Sequence, residues 1–234
     1  MPDQSDELRW FYDRFDLLFY VTLATVALLL LVDLDQEGVV ADILSLAVTL
    51  LTAAALFLAV AAAGVGRLRR RIALALIGVS VAAAVVSTLS SSVPYSLGGA
   101  LWLVLVVAAP VIALRRLMHH ERVTGETLLG ALSVFLLMAI AATYLFLFID
   151  TFVGGSGRFF GQEEPTTVFA YFSLVTIASL GYGDFVATGT FGRAAAAWEA
   201  IIGQIYLVVV VARIVSLFSG RARRPHGDGA SSAD

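Results

Sequence analysis

The chain has no cysteine, no lysine and little charge of either sign. Without cysteine there is no disulfide framework, no thiolate metal site and no cysteine nucleophile. Charged residues make up 14% of the 234 positions, against about a quarter in an average soluble domain. Apolar types make up 59%, and the mean hydropathy is +0.91. Too little polar surface is left to cover a water-facing globule. A cytosolic enzyme, a disordered chain and a nucleic-acid binder are therefore excluded. The net charge of -3 fits no polyanionic partner. The residues offer no nucleophile–base pair and no phosphate loop, so neither an enzyme nor an organic cofactor is expected.

What the chain has instead is long apolar runs. A helix crossing ~30 Å of hydrocarbon needs ~20 mainly apolar residues. Six runs qualify or nearly do: Leu17–Val32, Ile43–Ala63, Ile72–Leu89, Ala100–Leu114, Leu128–Ile149 and Ala194–Phe218. An all-α membrane protein with six transmembrane helices is expected, its solvent the lipid bilayer. Residues 1–16 mix Trp10, Phe11, Tyr12 and Phe15 with Arg9, Asp13, Arg14 and Asp16. That mixture suits an interfacial segment at headgroup level. Its acidic start is unlike the basic beginning of a signal peptide. Arginines cluster at 67–71, at 115–122 and at 221–224, while the alternate loops are poor in them. By the positive-inside rule both termini lie in the cytoplasm of a plasma-membrane protein. The expected division is an N-terminal segment 1–16, a four-helix domain 17–116, a cytoplasmic linker 117–127, a second membrane domain 128–219 and a cytoplasmic tail 220–234.

The connection between the last two runs is more than a loop. Pro165 is suited to the first turn of a helix. The apolar stretch Thr166–Ala178 is about 13 residues, or ~20 Å as a helix. It is long enough to enter a bilayer and stop halfway. Ser179-Leu180-Gly181-Tyr182-Gly183-Asp184 follows and does not read as helix. Non-helical backbone at membrane depth must be buried in protein or line a wet cavity. A re-entrant half-helix with an extended segment after it is therefore expected.

Gly181 and Gly183 alternate with Leu180 and Tyr182. Glycine reaches positive φ at little cost. A strand with such residues at alternate positions can aim successive carbonyls to one side. Several chains around an axis would then stack rings of oxygens that replace a cation's water shell. The half-helix before the strand points its partly negative C-terminus toward the membrane centre, which favours a cation there.

Thr176-Ile177-Ala178-Ser179-Leu180-Gly181-Tyr182-Gly183-Asp184 resembles the selectivity-filter signature of tetrameric potassium channels, in which a pore-helix threonine precedes Thr-Val-Gly-Tyr-Gly-Asp. The likeness runs back through Tyr171-Phe172-Ser173 and forward through Gly192-Arg193 into the last run, covering roughly Leu128–Phe218. At the level of topology it extends to the whole chain. The resemblance implies a pore domain at 128–219, a homotetramer, and potassium ions held by Ser179, Leu180, Gly181, Tyr182 and Gly183. It implies filter support from Thr176, Tyr171 and Asp184, the last two joined behind the filter.

Two filter residues depart from the family. Ser179 keeps the hydroxyl of the family threonine but not its methyl. Leu180 replaces valine, its side chain expected toward the pore helix. Gly203 lies 19 residues after Asp184, where many relatives have a hinge glycine. Close helix packing explains a glycine there equally well. Helical spacing then sets Gln204, Leu207 or Val208, Val211 and Val215 on one stripe, which in the family lines the cavity and inner mouth.

In voltage-gated relatives the fourth span carries a ladder of basic residues, because one charge moved across the field is worth ~2.3 kcal/mol per 100 mV. Ala100–Leu114 has no charge, and Arg115 and Arg116 sit only at its end. The front four helices are therefore expected to be a voltage-sensor-like domain without a sensor. Arg213 is expected to snorkel to headgroups, and His119 and His120 to be solvated linker residues. With about 15 residues after Phe218, no nucleotide-binding or calcium-gated domain is expected there. Glu199, about eight residues into the last run, is either a functional group that couples flux to pH or a structural tie to the back of the pore helix. The expected function is passive potassium conduction. The alternatives are a poorly selective monovalent cation channel and a non-conducting membrane regulatory subunit.

Overall fold

The computed structural model describes residues 15–31, 39–62, 71, 75, 78, 82, 95–119, 125–153 and 158–222. The expected third run, Ile72–Leu89, falls almost wholly outside the described residues, as do residues 1–14 and 223–234. Among the described residues all regular structure is helical. The elements are α1 (Phe15–Leu31), α2 (Val39–Ala62), α3 (Tyr95–His119), α4 (Gly125–Phe148), a π turn (Ile149–Val153), α5 (Thr166–Ile177) and α6 (Thr190–Ala222).

Two helical stretches among these are long and apolar enough to cross a membrane, Leu128–Phe152 and Thr190–Val210. The apolar stretches described in α1, α2 and α3 are shorter: Phe15–Leu31, Leu46–Val60 and Val106–Arg115. At 17 residues α1 reaches ~26 Å. The structure thus describes two candidate spans where composition predicts six.

The long helices are apolar on nearly every side, the pattern of a buried or lipid-embedded helix rather than a surface one. Their few buried hydroxyls turn inward on their own backbone. Thr22, Thr52, Ser133 and Thr143 each donate to the carbonyl four residues earlier, at 2.7–2.9 Å. No buried hydroxyl of this set needs water.

Packing centres on α4, which touches α1, α3, α5 and α6. Leu18, Leu29, Val106, Val134, Leu137 and Ile140 are fully buried where these helices meet. A Cβ on Gly130 would lie 2.8 Å from the Phe15 ring, so α1 and α4 approach closely there. α1 also packs on α5. α1 and α3 therefore rest on α4, and α2 packs on those two helices. The expected linker 117–127 is helical at both ends: α3 runs to His119 with Leu117 buried, and α4 starts at Gly125.

Candidate functional site

Pro165 stands one place earlier than expected, at the N-cap of α5 rather than inside its first turn. Its fixed φ and missing N–H suit a helix start. α5 is 12 residues long and ends at Ala178, whose N–H donates to Leu174 O at 3.1 Å. The next N–H groups also turn back onto the end of α5. Ser179 N donates to Thr176 O at 2.9 Å, Leu180 N to Val175 O at 2.9 Å, and Gly181 N to Val175 O at 3.4 Å.

The backbone then alternates. Ser179, Gly181 and Gly183 have φ of 57°, 54° and 78°, while Leu180 and Tyr182 keep negative φ. Successive residues of opposite φ sign bring like backbone groups to one side, where an ordinary strand would alternate them. Because the N–H groups of 179–181 face the end of α5, the carbonyls of 178–180, on the opposite side of the same trans peptide planes, face away from it. Among the described residues no group donates to the carbonyls of Ser179–Tyr182. Residues 178–184 are all exposed. In the single chain the Leu180 side chain is 57% exposed, and its N–H is bound by the end of α5. Tyr182 is likewise 67% exposed.

This segment is held from behind. Tyr171 Oη donates to Asp184 Oδ2 at 2.7 Å, within one chain. Asp184 Oδ1 accepts from Phe185 N at 3.1 Å. The Tyr171 hydroxyl holds the Asp184 carboxyl below the usual carboxylate range. Around the half-helix, Phe146, Phe159, Phe160, Phe169, Phe172 and Phe185 form a continuous set of ring contacts. Phe159 is the centre. Its N–H donates to Asp150 Oδ1 at 2.6 Å, its carbonyl accepts from Thr188 N at 2.9 Å, and Gly192 leaves room for its ring. Arg158 bridges Asp150 at 3.7 Å and Glu163 at 3.0 Å. Asp150 and the Phe159 hub carry no short motif, so the sequence pointed to neither.

Thr176, expected to support the filter, contributes its carbonyl to Ser179 N. Glu199 reaches Ser173, whose Oγ lies 2.6 Å from Glu199 Oε1. Gly203 is buried, and a Cβ there would stand 2.6 Å from Ile177 O and 2.6 Å from Ile177 Cγ1. Close packing, one of the two roles open to Gly203, is seen here: the end of α5 fills the place a side chain would take. One residue on, Gln204 is exposed and its Oε1 lies 3.5 Å from Ser179 Oγ, at the outer limit for a hydrogen bond. Val208 shares that open side, while Leu207 packs inward. The side chains of Val211, Arg213 and Val215 lie outside the described residues.

A half-helix thus lies between two candidate spans and leads into a run of carbonyls without donors among the described residues. Residues 132–220 match the family model described as Ion channel. The match takes in α5, the glycine-bearing segment, most of α4 and nearly all of α6. It supports an ion channel, and with the apolar helices it supports a membrane protein. No curated protein matches the chain.

Proposed function

We propose that four copies of this chain form a potassium-selective channel that conducts passively. α5 is the re-entrant pore helix, and Ser179, Leu180, Gly181, Tyr182 and Gly183 line the filter. The observation that carries this reading is the φ alternation over Ser179–Gly183, with the carbonyls of 178–180 turned from α5 and those of Ser179–Tyr182 without donors among the described residues. One chain supplies one edge of a ring and cannot close it, so several copies are needed, and the resemblance to tetrameric potassium channels implies that they number four. Exposed, non-helical backbone between two spans needs protein or water around it, and further copies supply both. Rings of carbonyls then replace the hydration shell of a dehydrated ion without formal charge. Six spans, cytoplasmic termini and a plasma-membrane location complete the proposal.

Purified protein in liposomes tests it. Potassium and rubidium are expected to pass at least tenfold faster than sodium, a difference of about 1.4 kcal/mol or more between ions. Equal sodium flux would leave a pore without selectivity. Absence of all flux would favour a non-conducting subunit.

The uncharged stretch Ala100–Leu114 leaves the membrane field little to act on. Replacing both Arg115 and Arg116 with Gln is therefore expected to leave the midpoint of any voltage dependence nearly unmoved in planar-bilayer recordings. A large shift would place these arginines in the field.

Tyr171→Phe removes the hydroxyl that holds Asp184. Current is expected to decay faster during sustained recording, with peak flux nearly preserved. The lowered Asp184 value means this support is present above the usual carboxylate range and is lost as pH falls through the lowered value. Wild type and variant should therefore differ at neutral pH and converge in acid. Equal decay rates at neutral pH would contradict the role.

A further inference from the structure

We propose that Glu199 and Ser173 form a proton-bearing clamp between the inner helix and the pore helix, and that this clamp makes filter conduction depend on pH. The proposal rests on the channel reading above.

Ser173 sits midway along α5, fully buried, with its Oγ 2.6 Å from Glu199 Oε1 on α6 and 2.9 Å from Ala139 O on α4. Three helices therefore meet on one hydroxyl. A serine hydroxyl has one proton and two lone pairs, so it cannot donate to both oxygens. Ala139 O does not depend on Ser173, because Thr143 Oγ1 also donates to it at 2.9 Å. Glu199 is 7% exposed, and its second oxygen, Oε2, is buried without a partner.

Two arrangements fit these distances. With Glu199 ionised, Ser173 donates to Oε1 and releases Ala139. α6 is then tied to α5, and α5 has let go of α4. With Glu199 protonated, its O–H donates to Ser173 Oγ and the Ser173 proton passes to Ala139 O. A chain of two hydrogen bonds then runs from α6 through α5 to α4. One proton added or removed thus changes whether the pore helix is anchored to the outer helix.

Among the described residues no ion pair involves Glu199, and Asp150 of the π turn, which also packs on α6, is paired with Arg158. α6 has no other charged residue from Ala194 to Ala212. Its titratable Tyr206 donates to Ala131 O at 2.5 Å, lower in the helix. α5 carries no charge, and its Tyr171 is engaged by Asp184. α4 has Tyr144 beside Thr143 and no charge from Leu128 to Ile149. α1, packed on another side of α5, brings Asp16 and Tyr20. Close by, Gly203 seats α6 against the C-terminal end of α5. The clamp and this contact act on the same helix pair, so a change in the clamp is felt where α5 gives way to the filter.

The test is potassium flux from proteoliposomes over a pH series, read beside the infrared difference band of a protonated carboxyl. Wild-type flux is expected to fall from acid to alkaline medium by about three- to tenfold, the ratio that one net intramolecular hydrogen bond supports. In Glu199→Gln the amide N–H donates to Ser173 Oγ as the acid does, and nothing titrates. Its flux should stay at the acid level at every pH, and the infrared band should vanish. Ser173→Ala should give low, flat flux and a shifted band, and Ser173→Thr should restore the wild-type profile. If Glu199→Gln fails to assemble, the Ser173 pair makes the same decision. A wild-type pH profile in Glu199→Gln, or in Ser173→Ala, overturns the proposal. So does a carboxyl band indifferent to Ser173→Ala. Absence of flux from every variant overturns the channel reading and the conduction half of this one, and the band alone then decides the clamp.

Discussion

Gly181→Ala and Gly183→Ala are each expected to abolish potassium flux while leaving the protein folded. The reason is backbone conformation rather than space. An added Cβ meets nothing within 4 Å at either site, yet φ is +54° and +78°. Holding a residue with a Cβ in the left-handed region costs ~1–2 kcal/mol. In a tetramer that cost recurs in every subunit, which shifts the balance against the conducting backbone by roughly a thousandfold or more. Ser179 already bears a positive φ of 57°, so a second such residue adds to existing strain. Gly189→Ala is the control. Its surroundings are equally open and its φ is not in the left-handed region, so flux should be nearly unchanged. Undiminished flux from either filter variant would mean that ions do not pass along this segment.

Gly203→Ala is expected to have the second-largest effect, and for the opposite reason. There the obstacle is steric and rigid. The new Cβ would lie 2.6 Å from Ile177 O, a backbone atom at the end of the pore helix. Overpacking of this kind costs ~1–3 kcal/mol, and the strain falls at the junction of pore helix and filter. The variant should lower the temperature at which the tetramer dissociates and reduce flux together. Gly130→Ala offers a comparison, because its Cβ would meet the Phe15 ring at 2.8 Å. A side-chain ring can turn aside where a carbonyl held in a helix cannot. Gly130→Ala should therefore disturb the assembly less and leave flux near wild type. Equal loss from both variants would show that crowding in general, rather than the α6–α5 contact, governs the pore.

Much of this was legible in the chain itself. Scarcity of charge and long apolar runs determine a helical membrane protein, because a backbone in lipid has few other ways to satisfy its hydrogen bonds. Pro165, the short run after it and the alternating glycines determine a half-helix that stops in an irregular strand. These are local effects of ring closure, length and φ freedom, and they need no partner. The pairing of Tyr171 with Asp184 was expected from family resemblance alone, and the structure places the two groups at 2.7 Å.

Other features depend on which helices meet, and no local pattern carries that. Glu199 stood out as a carboxylate in an apolar run, but its partner, Ser173, lies 26 residues away and only the crossing of α6 with α5 brings them together. Gly203 fits a hinge and a packing site equally well in the sequence, and only the fold puts the end of α5 against it. Phe159 looked like one apolar loop residue among several. It becomes a hub only because Asp150, Thr188 and Gly192 converge on it from three parts of the chain. Composition and local stereochemistry determined the kind of element at each point. Tertiary packing decided which buried polar groups share a proton and which glycine must have no side chain, because both depend on distances between helices remote in sequence.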